Sequence, residues 1–332
     1  GADAAAMAED ASDETEDPPE LHSAKQRIHT CRRVDDRQKV AAALCECAEV
    51  CVHLGRIEEA LQHATEARSI CKSLFNGRGE AEALRVAVKA HSKSRRYNDA
   101  MRVAEEELEA FRDVKDKKAE VVMLLAVSDV HFAQENYSMA CASAEAAAQI
   151  SVQAEDVRGE ASAREACIRI YAASERWQKV QWSSAEAFET LESAGDIAGR
   201  ASVLMHTAMA HCKGVPQDVE TGWKLGKESQ NLYKELGDKR GEAKALRAIA
   251  YAIKLMQDGE AESLRALNKA LAISKDAHDK EGELIACMAL ATTWLEGDKQ
   301  EDAMRATRVG SKLAREQNDG ARLFEILDTG IQ

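Results

Sequence analysis

The chain has 332 residues, with 45 Lys plus Arg against 58 Asp plus Glu for a formal charge of −13, nine Cys, three Pro and only 4% aromatics. That length can bury a sizeable core without disulfide or metal staples, and so acidic a balance argues against a general nucleic-acid binder or a basic membrane-surface protein, both of which need a cationic footprint. No run approaches the ~18 apolar residues of a membrane-spanning helix, and the bias towards Ala, Glu, Lys, Arg and Leu with scarce Pro predicts helix almost throughout.

In chain order, residues 1–20 are acidic around Pro18-Pro19 and nearly free of large apolar groups, which reads as a solvated tail. Residues 21–35 carry Ala24 and Cys31 at the spacing of Ala64 and Cys71, so they read as the lone second helix of a half unit. A motif then recurs. Asp156-Val-Arg-Gly-Glu-Ala161, Asp238-Lys-Arg-Gly-Glu-Ala243 and Asp279-Lys-Glu-Gly-Glu-Leu284 are near copies, and weaker copies start at Asp36, Asn76, Asp116, Asp196 and Asp319. The starts recur at a nearly constant interval of ~40 residues, stretched only slightly after Asp196 and Asp238, a regularity that predicts a solenoid of stacked units. Seven units follow: 36–75, 76–115, 116–155, 156–195, 196–237, 238–278 and 279–318, with 319–332 beginning an eighth helix.

Each leading Asp or Asn is placed to cap a helix, and the acid four residues on (Glu80, Glu120, Glu160, Glu242, Glu283) sits at its positive dipole end. About twenty residues further comes a short polar break, as at Gly55, Arg95-Arg96 or Gly297-Asp298, which predicts a tight turn into an antiparallel helix. In that second helix Ala60, Ala100, Ala140 and Ala303, with Ala67, Ala147, Ala187, Ala270 and Gly310 one heptad on, form a small-residue face that lets helices approach closely. The longest unit, 196–237, carries its insertion around Gly214–Gln217, which reads as a longer surface turn.

The sequence of large, small and variable positions, seen as Leu44, Ala48 and Cys51 with Ala60, Ala64 and Ala67, and as Leu246, Ala250 and Ile253 with Ser263, Leu267 and Ala270, resembles the tetratricopeptide repeat family. The ~40-residue unit with its Gly-Glu-Ala opening is similar to the long-repeat subclass found in Pins-type polarity adaptors. The resemblance covers residues 20–332 and departs from the family in lacking the usual helix-A Trp and the Pro that ends the second helix. It implies an all-α, right-handed solenoid and a non-enzymatic scaffold that holds a partner peptide or helix in its concave groove.

In the first helix of each unit, the family's groove-facing positions are offsets +6, +9, +13 and +16 from the leading Asp. They give Lys244, Arg247, Tyr251 and Lys254 in one unit, Arg85 and Lys89 in another, and Arg169, Phe132, Met205 and Met209 elsewhere, with Val122, Leu125, Ile285, Met288 and Leu295 as further apolar members. A wall that is cationic and apolar by turns suits an acidic, partly apolar peptide. The plain alternative is a solvated face laced with ion pairs, for which Glu82 and Glu165 are available. A second function class is a structural subunit of a large stable assembly, joined through its outer face and an open C-terminal end bearing Phe324, Ile326 and Leu327. An RNA-binding helical repeat is opposed by the charge.

No phosphate-binding loop, nucleophile elbow, HExxH helix or dinucleotide fingerprint occurs, so no catalytic residue and no cofactor are expected. Cys45, Cys47, Cys51 and Cys71 form no CxxC pair, and 45 and 47 point to different sides of a helix, so they read as core thiols and no metal is expected. Nine such cysteines suit a cytoplasmic or other reducing compartment. His91, His131 and His211 share a position that elsewhere carries Ile253 or Trp294, which is a packing position. Trp177, Trp182 and Trp223 read as gap fillers between units.

Overall fold

The computed structural model describes residues 17–316 together with Arg322, Leu323 and Ile326. Residues 1–16 of the expected acidic tail, the Asp319 cap, Phe324 and Leu327 lie outside the described residues. Among those described there are fifteen helices and no strand: α1 (Pro19–Arg33), α2 (Arg37–His53), α3 (Ile57–Ser73), α4 (Gly77–Lys93), α5 (Tyr97–Asp113), α6 (Lys117–Ala133), α7 (Tyr137–Gln153), α8 (Val157–Ala173), α9 (Trp177–Ala194), α10 (Ile197–Lys213), α11 (Val219–Leu236), α12 (Lys239–Lys254), α13 (Glu260–Asp276), α14 (Lys280–Glu296) and α15 (Gln300–Glu316). Consecutive helices pack against each other, and alternate helices α2, α4, α6, α8, α10, α12 and α14 also touch along an inner layer. The fold is an all-α solenoid of helical hairpins.

The period has a local cause. Most helices, α2 to α8 among them, run 17 residues. Every joint but one carries a left-handed residue: Asp35, Gly55, Phe75, Arg95, Lys115, Glu135, Glu155, Glu175, Gly195, Gly237, Asp258, His278 and Asp298 all have positive φ. A single αL residue ends one helix and reverses the chain into the next. The longer connection from α10 to α11, at the expected insertion, is the one that breaks this rhythm.

The leading Asp or Asn then caps the first helix of each hairpin by accepting from the backbone N–H three residues on, as Asp36 does from Lys39 (3.1 Å), Asp196 from Gly199 (2.8 Å) and Asp238 from Gly241 (2.9 Å). Asp156 departs from the expectation: it makes no cap, and its buried carboxylate instead accepts two bonds from Arg78 (2.7 and 2.9 Å), two hairpins upstream. The glycine of the motif answers to packing. At Gly241 a Cβ would overlap the Tyr233 ring of the preceding helix, and at Gly199 it would overlap Leu191.

The solenoid core is divided among several clusters along its length. The largest cluster joins α4 to α10 around Met123, Leu125, Ile168, Ile170 and Leu191, and an N-terminal cluster joins α1 to α4 around Leu21, Leu44 and Cys47. Helix α1 begins at Pro19 and Asp17 already holds Lys25 (2.7 Å) and Arg56, so residues 17–20, expected to belong to the tail, are part of the folded chain. At the other end Ile326 is fully buried beside Gly310, Leu284 and Cys287, which corrects the expectation that it marks an open apolar terminus.

Helix α6 is apolar nearly all round, with residues 119–128 buried without a break, as befits a helix enclosed on every side. Val122 and Leu125 are therefore core, covered by the close approach of α4, and do not line an open groove as their spacing suggests.

Candidate functional site

Past α6 the inner wall opens. The first helices of the last four units, α8, α10, α12 and α14, surround a concave cavity of about 800 Å3. Seven of the ten sequence-derived groove residues line it: Arg169 from α8, Met205 and Met209 from α10, and Lys244, Arg247, Tyr251 and Lys254 from α12. Ile285 of α14 joins them. Side chains at the same offsets in successive units converge because the first helices stack in register, presenting one stripe each to a common hollow.

Three of the ten lie elsewhere. Arg85 donates to Asp129 through Nε (3.0 Å) and Nη2 (2.7 Å), Lys89 sits 3.6 Å from Glu49, and both line a smaller cavity against α2. Phe132 is half-buried, edge-on to Tyr137 at 5.8 Å, with the Arg169 guanidinium 4.9 Å over its ring. For this N-terminal half, the ion-paired face is what the structure shows.

The cavity has an uneven charge. Arg169 is spoken for by Asp129 at 2.7 Å, and Lys254 pairs with Glu296. Lys213 stands 5.2 Å from both the Trp177 and Tyr251 rings, a cation held by aromatic faces. Arg247 is the outlier: its Nη1 is buried and has no hydrogen-bond partner, and burial pushes its pKa down from the ordinary guanidinium value. Among anions, Glu165 accepts from Ser202 (2.7 Å). His206 is half-buried among these groups, and loss of solvent pushes its pKa down to about 4. Five cations therefore face two carboxylates, over a floor of Met205, Met209, Leu267, Ile285 and Ala289.

His206, Lys213, Thr292 and Glu296 are not among the sequence candidates. They occupy offsets +10, +17, +13 and +17 of their units. Offsets +10 and +17 sit about 40° from +6 and +13 at ~100° per residue, so a stripe one residue wider captures His206, Lys213 and Glu296, while Thr292 already lies on the original stripe. The tryptophans divide: Trp177 and Trp223 are half-buried against the core, as expected of gap fillers, whereas Trp182 is 75% exposed. His91 and His131 are half-buried with Nδ1 unpartnered, and burial lowers both pKa values, in keeping with packing positions.

Of the four cysteines read as core thiols, Cys47, Cys51 and Cys71 are buried and Cys45 is half-buried. Cys45 and Cys71 face the smaller cavity beside α2, while Cys47 and Cys51 turn inward and meet His63 of α3, a residue that spacing alone does not pair with them.

By sequence the chain matches no family profile and no curated protein. By shape it is similar to solved structures. A Rap protein complexed with competence and sporulation factor superposes with a TM-score of 0.65 at 14% identity, covering 86% of this chain and 80% of that one. The apo form of RapI gives 0.62 at 13% identity, covering 91% and 100%. A signal transduction ATPase with a tetratricopeptide repeat sensor, from Pyrococcus horikoshii, gives 0.53 at 14% identity, covering 81% of this chain and 42% of that one. At such identities the likeness is one of fold, and the fold of this chain is a tetratricopeptide-like solenoid.

Proposed function

We propose that the protein is a non-enzymatic interaction scaffold whose cavity between α8 and α14 receives an acidic, partly apolar segment of a partner protein. The observation that carries this reading is Arg247. A buried guanidinium N–H without an acceptor costs about 1–3 kcal/mol, and a carboxylate entering the cavity would recover it through a charge-assisted bond. Lys244 and Lys213 reinforce the field, and Met205 and Met209 offer pliable apolar contact beside it. The similar Rap protein solved with competence and sporulation factor supports the idea that a solenoid of this shape holds a second molecule. The long repeat unit with its Gly-Glu-Ala opening supports placing the chain with the long-repeat adaptors of Pins type, and nine free cysteines support a reducing, cytoplasm-like compartment. No described helix is long and apolar enough to cross a membrane.

The test is selection of binding peptides from an unbiased displayed library. Peptides combining acidic and apolar residues are expected, their affinity falling with added salt and at least about tenfold, ~1.4 kcal/mol, in Arg247→Gln. Acid-free peptides, or binding unchanged in the folded Lys244→Glu/Arg247→Gln variant, would overturn it.

Trp182 favours a second reading. A tryptophan 75% exposed on α9, away from the cavity, is the kind of anchor that buries itself in a partner, as a structural subunit of a large assembly would need. Under that reading Trp182→Ala releases the protein from its native complex while leaving peptide selection unchanged.

A further inference from the structure

We propose that Cys47, Cys51 and His63 form a binding site for a thiophilic d10 cation, zinc or Cu+, between the two helices of the first complete hairpin. The Sγ atoms of Cys47 and Cys51 and a ring nitrogen of His63 all lie within 4.8 Å of one another. The two thiols are four residues apart on α2 and so point the same way from one helix face, and the imidazole reaches them from the antiparallel α3. Two thiolates and an imidazole are a donor set that selects such cations over harder ones, and three protein ligands leave a position for water or a fourth group.

Packing alone accounts poorly for the arrangement. Both thiols are fully buried, in a layer of Leu44 and Ala48, where an apolar side chain would serve as well as His63. The imidazole is half-buried, so the site has a polar side from which an ion can enter. On that side Glu59, one turn before His63, is held by Arg56 (3.3 Å) and Lys25 (3.4 Å). On binding a cation, Cys47 and Cys51 would act as thiolates and His63 as neutral imidazole, and the displaced protons go to solvent.

The other cysteines supply the control. Cys45 of α2 and Cys71 of α3 line the cavity beside α2 and lie outside the cluster.

The experiment uses the reduced, metal-stripped full chain without oxygen. Titration with Co2+ is expected to give thiolate-to-cobalt charge-transfer absorbance and the visible bands of tetrahedral cobalt, saturating at about one equivalent and reversed by zinc. In a parallel arm, Cu+ is titrated against a coloured chelator, and the tighter partner of the two arms identifies the ion. His63→Ala should weaken binding at least about tenfold, Cys47→Ala/Cys51→Ala should abolish it, and Cys45→Ala and Cys71→Ala should leave it unchanged, with circular dichroism confirming that each folds. Should the double variant not fold, X-ray absorption of the loaded wild type reads the ligands directly, two sulfurs with imidazole being expected. Failure of both ions to bind, bands that persist in a folded double variant, or a sulfur-only coordination shell would overturn the proposal.

Discussion

Asp129 shows how a residue acquires its role from neighbours that sequence spacing hides. Its carboxylate is clamped by Arg85 from α4 and Arg169 from α8, 44 and 40 residues away. Burial pushes its pKa up, but the two guanidinium groups more than reverse this and hold it well below the usual carboxylate range. By sequence spacing the same arginines read as free groove ligands. The periodic stripe is visible there and the side-chain pairing across three units is not. Asp129→Asn should cost about 2–3 kcal/mol at neutral pH, since removing one member of a buried charge cluster strands the others and partial exposure of the arginines discounts the figure. The folded pKa lies below the unfolded value of ~3.9, so the carboxylate's contribution is complete above that pH and fades as pH falls through the folded value. The stability gap between wild type and variant, measured by urea titration, should accordingly be constant near neutrality and close below pH ~4. A gap that widened on acidification would refute the assignment.

At the scale of the hairpin, most of the fold was legible. The Asp-x-x-Gly-Glu-Ala motif encodes a cap, a glycine where two helices touch, and a charge at the dipole, and each of these is a local matter. Two substitutions test that chemistry. Lys115, exposed with φ of 58°, occupies an αL position that costs an L-residue about 1–2 kcal/mol; Lys115→Gly should recover roughly 0.5–1 kcal/mol after glycine's entropic cost, read as a raised urea midpoint. Gly241→Ala should do the opposite, losing about 1–3 kcal/mol because the added methyl meets the Tyr233 ring in a packed contact. What was not legible depends on how hairpins lean on one another. Whether Val122 faces a groove or a neighbouring helix is set by the small rotation between units, and the sequence does not write that rotation down. The meeting of His63 with Cys47 and Cys51 belongs to the same class: the thiol spacing is plain in α2, whereas the register of α3 against it is a product of packing.

The accumulated rotation brings the two ends of the solenoid together. Lys93 at the end of α4 reaches Glu281 at the start of α14 at 2.9 Å, across 188 residues of sequence, and Arg240 of α12 lies 3.3 Å from Glu20 of α1. Glu281 also receives Arg322 at 2.9 Å. Although burial alone raises its pKa, Lys93 and Arg322 pull the carboxyl down to about 2. These groups are partly exposed, so each pair contributes little to the stability of any one hairpin. Their leverage is on shape, because a solenoid resists bending only through nearest-neighbour interfaces. The cavity lies on α8 to α14, so the closure also sets how wide its mouth stands. Glu281→Lys places three cations together and should open the superhelix with helix content unchanged. Small-angle scattering should then show the radius of gyration rising by a few ångströms above that of wild type, where a compact chain of this length has about 20 Å. Wild type in ~1 M salt, with a screening length of only ~3 Å, should open in the same direction. If neither the variant nor the salt changes the scattering curve, the curvature is fixed by the packing of α4, α6 and α8, and the pairs at the ends merely decorate a shape already determined.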